Sequence, residues 1–404
     1  MLSRIRTFSC TIGLMVLFFA SITLYAHQTT IVVSFDGFRR DYIERMPEGV
    51  FKQLANDGCT ATLVPVNPTK TFPNHWSIAT GLYPEHHGII DNHFYDSELR
   101  DTFSMPRTES VWWKGEPMWI TAERHGVTAY TFFWPGSQVV FDGRLPSKWL
   151  PYSGTRYFDD RVDSIVTWTA QEKPPGLIVA YFEVADDFGH KFGPYGKEMD
   201  IAFNHVENIV SRLVKGLATR GILDSTNIII VSDHGMAQVD APDTSTPITS
   251  QVLGTSPDMI VIKSNPNLLV YGITTDTAQA IADRLNNNPD YKVRATLTSK
   301  LPTTWRISAP HRTPVLYIQT NMGRDLDVGK RPLRKEVGGS HGYDNKNTDM
   351  HGIFIATGPS IRNGHIRDLS VVDVYPIVCA LLHIFPASND GNQARVTDVV
   401  KYLR

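Results

Sequence analysis

Cysteine is scarce: three residues in 404, Cys10, Cys59 and Cys379, with no CxxC pair among them. That excludes a disulfide-stapled scaffold and a cysteine-based zinc or redox motif. Cys59 and Cys379 are expected to be two separate buried thiols. Charge of one sign is also lacking. Lys and Arg number 39 against 41 Asp and Glu, for a formal net charge of −2. No basic face advertises a nucleic-acid-binding module. Repeats and low-complexity blocks are missing. With 42% hydrophobic and 20% charged residues, disordered, collagen-like and coiled-coil readings drop out.

Beyond residue 26 there is no hydrophobic run long enough to span a bilayer. The first 26 residues differ. Arg4 and Arg6 precede an apolar run from Thr11 to Ala26, shorter than the roughly 20 residues a spanning helix prefers. Residues 1–26 read as a secretory signal peptide cut after Ala26, which predicts a secreted or periplasmic protein. Leu24 stands where a small residue is favoured, so an uncleaved membrane anchor is the alternative. Residues 27–404 then form the mature chain, with no membrane span unless the signal is retained.

What is present is an alternation of short apolar runs and amphipathic segments. Ile31–Phe35, Leu177–Val184, Ile228–Ser232 and Ile353–Ala356 suit strands buried on both faces of a parallel sheet. Ile201, Val206, Ile209, Val210, Leu213, Val214 and Leu217 recur near helical spacing, and Gly221 suits a stop just beyond. A second helix is expected over Val371–Leu382. The fold class is α/β: a central, mostly parallel sheet with helices on both faces. Phe103–Leu150, rich in Trp and Pro, reads as an addition. Residues 244–334 read as a smaller inserted subdomain capping the site.

The chemistry concentrates at strand ends. Asp36, Asp186 and Asp233 each stand at or just past the carboxyl end of an apolar run, the edge where open α/β sheets bind ligands. His190 follows Asp186 by four, His234 adjoins Asp233, and His341 lies in the glycine-rich GGSHG. One such Asp is ordinarily a cap, and one loop His an ordinary hydrogen-bonded residue. Three carboxylates with three imidazoles at several strand ends suit Zn²⁺ better than Mg²⁺ or Ca²⁺, and are too many for one catalytic zinc but right for two. Pro73 is expected at the first position of a helix. Thr71 then falls near the N-cap, where N–H groups point at anions. Its hydroxyl becomes a nucleophile only if a metal lowers its pKa.

The segments SFDGF (34–38), NPTKTFPNHWSIATGLYPEHHGI (67–89), DDFGHKFGP (186–194), SDHGM (232–236) and SHGYDN (340–345) resemble, in order, those of the nucleotide pyrophosphatase/phosphodiesterase family of the alkaline phosphatase superfamily, in a minimal bacterial type. The resemblance implies an alkaline-phosphatase-like α/β/α sandwich and a di-zinc hydrolase. It implies that Asp36, Asp233 and His234 hold one Zn²⁺ with Thr71 as fourth ligand and nucleophile. Asp186, His190 and His341 would hold the second. Asn92 matches the asparagine that binds a phosphate oxygen, and Phe72 and Tyr181 the aromatic pair that stacks on a base. Two dications would offset three carboxylates and a threonine alkoxide, so an anionic diester is not repelled. Asp344 and His351 do not match ligand positions. Lys70 suits either phosphate attraction or plain solvation. His75, His86, His87 and His93 read as surface or packing residues.

The implied reaction is hydrolysis of nucleotide pyrophosphates or phosphodiesters to nucleoside 5′-monophosphates through a phospho-threonine, the partner being a small molecule. The alternatives are a phosphomonoesterase, a glycerophosphodiester or choline-phosphodiester hydrolase, and an inactive binding ectodomain. A monoesterase calls for a further cation near the nucleophile, and no Arg adjoins Thr71, though Arg107 or Arg156 could reach. A sulfatase would need Cys or Ser in CxPxR or SxPxR, and TFPNH has neither. An inactive ectodomain should have lost a ligand or the nucleophile, and all are present.

Overall fold

The computed structural model describes residues 28–240, 247–326, 328 and 337–401. The expected signal peptide lies outside the described residues. Among them no helix is long and apolar enough to cross a membrane.

The main sheet has nine strands among the described residues. Those that position the site are β1 (Thr30–Phe35), β2 (Cys59–Val64), β3 (Ala129–Phe132), β4 (Lys148–Leu150), β5 (Leu177–Phe182), β6 (Asn227–Val231) and β7 (Gly352–Thr357). They lie in the order β2-β7-β6-β1-β5-β3-β4. At the centre β1 pairs in parallel with β5 and β6, Ile31 facing Ile178 and Ile228. Two edge pieces, Gly364–His365 and Leu369–Ser370, run parallel to β2. The expected strand at Ile353–Ala356 forms as β7 but runs antiparallel to both β2 and β6. Its apolar run is the same for either direction, so composition could not reveal this.

Alternation along the central strands sorts them into two cores. Ile31, Val33, Ile178, Ala180, Ile228 and Ile230 face one side. Val32, Val179, Ile229 and Val231 face the other. Of four helices that matter here, α1 is Thr71–Thr80, α2 Phe158–Thr169, α3 Val184–Phe192 and α4 Met199–Thr219. Helix α4 covers the first core with Val206, Ile209, Val210, Leu213 and Leu217. Ile201, read as part of that stripe, is 52% exposed. Trp76 of α1 and Val374–Leu381 cover the other. Residues Val371–Asp373 of the expected second helix form a 3₁₀ turn instead, closed by a reciprocal Ser370–Asp373 cap.

A separate antiparallel sheet of Ile260–Ser264, Asn267–Tyr271, Val293–Leu297 and Leu316–Thr320 packs helix Thr275–Asn286 around its own apolar cluster. Cys59 and Cys379 are buried and unbonded.

Candidate active site at the carboxyl edge of the sheet

Strands β6, β1 and β5 are neighbours in the sheet, so their carboxyl ends deliver Asp233, Asp36 and Asp186 to one place. Gly37 follows Asp36 with φ +66°, and a Cβ there would sit 2.8 Å from Asp186 Oδ1. Its N–H donates to Asp233 Oδ1 at 3.2 Å. Only glycine lets the three strand ends close this tightly. Helix α3 carries Asp186 and His190 one turn apart on one face, 3.4 Å from each other. His341 follows Gly338–Ser340, which pairs antiparallel with Ala237–Val239 just past His234.

All seven expected ligand residues converge. His234 Nε2 lies 3.0 Å from Asp233 Oδ2, 3.3 Å from Asp36 Oδ1 and 3.4 Å from Thr71 Oγ1. The rings of His234 and His341 stack at 3.7 Å. His341 Nε2 lies 3.1 Å from His190 Nε2 and 3.7 Å from Asp186 Oδ1. In each histidine Nδ1 faces a backbone carbonyl: Gly235 for His234, Thr69 for His341 and Gly339 for His190, at 2.8–3.0 Å. A carbonyl accepts only, so Nδ1 carries the proton and Nε2 is turned to the centre as a donor of electrons. This is the outer-shell pattern of metal-binding histidines.

The electrostatics agree. Burial, then the Asp233 and Asp186 carboxylates, push the Asp36 carboxyl well above its usual range. Burial acts the same way on Asp233, but His234 and His75 outweigh it and hold that carboxyl well below. Burial, then His234, Lys70 and His190, hold His341 well below the usual imidazole range. Asp36 Oδ1 and Asp186 Oδ1 are buried without a hydrogen-bond donor. Burial lowers the His234 imidazole, but the Asp233 carboxylate outweighs it and raises that group above its usual range. Acidic oxygens turned to one buried centre are thus costly unless positive charge lies among them. The residues present therefore fit a metal centre.

By proximity alone the donors group as Asp186, His234 and His341, and as Asp36, His75 and Asp233. His75 was expected to be a packing residue. Its Nδ1 faces the Thr71 carbonyl at 3.0 Å and Asp233 Oδ2 at 3.2 Å, while Nε2 meets the Ser34 hydroxyl at 2.9 Å. Nδ1 thus holds a proton and Nε2 accepts one, which leaves no lone pair for a metal. His75 orients Asp233. Its spacing of four from Thr71 on a helix was the signal that could have placed it here.

Helix α1 begins at Thr71, with Lys70 as its N-cap. The expected start at Pro73 is two residues late. Pro is tolerated at its actual place because the first turn's N–H groups have no helical partner anyway. The Phe72 N–H donates to Asn92 Oδ1 at 2.9 Å. This turns the Asn92 amide toward the helix start, beside the Thr71 N–H. Lys70 is not solvated. It is buried and donates to the Asn265 carbonyl.

On one side of Thr71 an apolar cavity of about 460 Å³ opens, lined by Phe72, Trp113, Phe133, Trp134, Tyr152 and Tyr181 among others. Both members of the expected aromatic pair line the cavity, but they are held differently. Phe72 faces the cavity, but Tyr181 is 9% exposed and its hydroxyl donates to Asp36 Oδ2 at 2.6 Å. Tyr181 is tied to the donor cluster. The open ring is Tyr152, 56% exposed and edge-on to Phe133 at 5.5 Å. Nothing in its sequence context set Tyr152 apart.

A mostly parallel α/β/α sandwich that gathers carboxylates and imidazoles at its carboxyl edge defines a scaffold of the alkaline phosphatase type. Residues 30–344 match the family described as Type I phosphodiesterase / nucleotide pyrophosphatase, and the chain belongs to that family. It is 32% identical, over 92% of its length, to mouse ectonucleotide pyrophosphatase/phosphodiesterase family member 1. It is 32% identical, over 92% of its length, to venom phosphodiesterase CdcPDE of Crotalus durissus collilineatus. The chain spans 42% of the former and 46% of the latter. An inactive threonine-to-alanine variant of murine ectonucleotide pyrophosphatase / phosphodiesterase 5, solved with AMP, superposes with a TM-score of 0.85 at 29% identity, covering 93% of this chain and all of that one.

Proposed function

We propose that this chain hydrolyses nucleotide pyrophosphates and phosphodiesters to nucleoside 5′-monophosphates, with Thr71 as nucleophile and two Zn²⁺ as cofactors. The carrying observation is the place of Thr71: its hydroxyl lies 3.4 Å from His234 Nε2, and the residue lines the aromatic cavity. Reacting hydroxyl, donor cluster and ring-binding slot meet at one residue. The AMP complex of the murine relative supports a nucleotide in that slot.

Asp36, Asp233, His234 and Thr71 would hold one ion, and Asp186, His190 and His341 the other. Zinc there would lower the pKa of the threonine hydroxyl and offset phosphate charge. Thr71 Oγ1 attacks phosphorus, the leaving oxygen departs in line, and a phospho-threonine results, which water hydrolyses. The Thr71 N–H and the Asn92 amide supply hydrogen bonds to the non-bridging oxygens. Phe72 and Tyr152 hold the base. His75 and Tyr181 fix Asp233 and Asp36. Residues 244–334 act as a cap, supported by the Lys70–Asn265 and Ser264–Asp91 hydrogen bonds that tie them to the site. The relatives' names, ecto-enzyme and venom enzyme, support a location outside the cytoplasm.

A monoesterase needs a spare cation. Arg107 lines the cavity, but its guanidinium is engaged by Asp101 at 2.6 Å and Glu109 at 2.9 Å. The test compares kcat/KM of the zinc-loaded protein on the p-nitrophenyl ester of thymidine 5′-monophosphate and on p-nitrophenyl phosphate. A preference for the diester by orders of magnitude is expected. A preference for the monoester would overturn the reading.

A further inference from the structure

Arg161 is 1% exposed, on the first turn of α2, and makes a two-pronged ion pair with Glu183 at 2.6 and 2.8 Å. Neither residue lines the aromatic cavity or belongs to the donor cluster. Yet the guanidinium touches each part of the site's frame. Its Nε donates to the Arg156 carbonyl at 3.2 Å, in the segment between Tyr152 and α2. Its Nη1 lies 3.5 Å from the Tyr181 carbonyl, at the end of β5. Its partner Glu183 is the N-cap of α3, the helix of Asp186 and His190. Its face lies 4.7 Å from the ring centre of Phe133, a wall of the slot, with Phe158 at 5.0 Å on another side.

Phe133 adds an independent sign of constraint. Its φ is +62°, a conformation that a bulky residue keeps only when its surroundings impose it. The Phe133 ring is held between Arg161 and Tyr152. A rigid fork buried among aromatic faces is a device for fixing geometry, a task at which Lys could not replace Arg.

We propose that Arg161 and Glu183 are a positioning pair that sets the aromatic slot against the donor cluster, and so sets the preference for diesters carrying a planar ring. The proposal rests on the nucleotide reading above. Two forms test it: Arg161→Lys, and Arg161→Met combined with Glu183→Leu, which strands no charge. Each is assayed, zinc-loaded, on the nucleotide nitrophenyl ester and on methyl p-nitrophenyl phosphate, which has no base. The KM for the nucleotide ester should rise about tenfold, as expected for lost stacking, with kcat little changed. Turnover of the methyl ester and zinc content should stay within about twofold of wild type, the range expected if no interaction with the reacting phosphate is lost.

An equal fall on both esters, or no change on either, would overturn the proposal. If the double variant does not fold by circular dichroism, Arg161→Lys carries the test. A wild-type protein that cleaves neither ester would defeat the nucleotide-hydrolase reading instead. The slot is then read by calorimetry with thymidine 5′-monophosphate, where an unchanged Kd in the variants defeats the positioning role.

Discussion

The donor cluster and the aromatic slot adjoin at Thr71, and they are built in opposite ways. The cluster gathers at the ends of three adjacent central strands, its imidazoles braced by backbone carbonyls and most of it buried, with His190 on its open side. The slot comes largely from two connecting stretches on either side of β3, residues 105–113 and 133–152, and one of its rings, Tyr152, stands open to solvent. The cluster is positioned by the sheet, whereas the slot is positioned mainly by connecting segments. The two should therefore fail differently: damage to the cluster in turnover and metal content, damage to the slot in KM.

The sharpest break is Thr71→Ala. Turnover of the nucleotide ester should fall by at least about 10⁴-fold, as when other enzymes lose their nucleophile, while metal analysis shows substantial zinc remaining on the other ligands. Turnover near wild type would remove Thr71 from its role. Next comes Asn92→Ala, expected to lower kcat by about 10²–10³ with little change in KM, the pattern of a donor that acts on developing charge. Tyr181→Phe removes the hydrogen bond to Asp36 without emptying the core. Zinc affinity in competition with a chelator should weaken by about 10- to 100-fold, and nucleotide KM at saturating zinc should hold. If KM rises instead, the Tyr181 hydroxyl acts on the slot rather than on Asp36. The smallest effects are those of Phe72→Ala and Tyr152→Ala, each raising nucleotide KM about tenfold, since stacking is worth roughly 1–3 kcal/mol per base.

The same division explains what could be read in advance. Asp36 and Asp233 stand at the ends of apolar runs, and a buried central strand is a strong local pattern, so the cluster's residues were legible. The four-residue spacing of Asp186 and His190 works because α3 forms there. Direction was not legible: β7 has the composition of its parallel neighbours but runs against them. Tyr152 was invisible because its segment has no periodicity to place it. Tyr181 was legible as an aromatic at the end of β5 beside the site, but its second tie, the hydroxyl bonded to Asp36, was not. Pro73 marked a helix start that lies two residues earlier, a displacement that local propensity does not resolve.

The reversal of β7 has a consequence of its own. Because it runs against β6, it enters the sheet at the edge where β6 leaves it. The intervening chain, which carries Asp233, His234 and His341, starts and finishes on the same rim. Most of it is folded around the apolar cluster of the smaller sheet, and only its turns are limited in length by little more than loop-closure entropy, which grows by about 0.6 kcal/mol per doubling. Residues can be added to or trimmed from such turns while the central strands keep their register. The rim can thus vary in outline while the central strands stay in place.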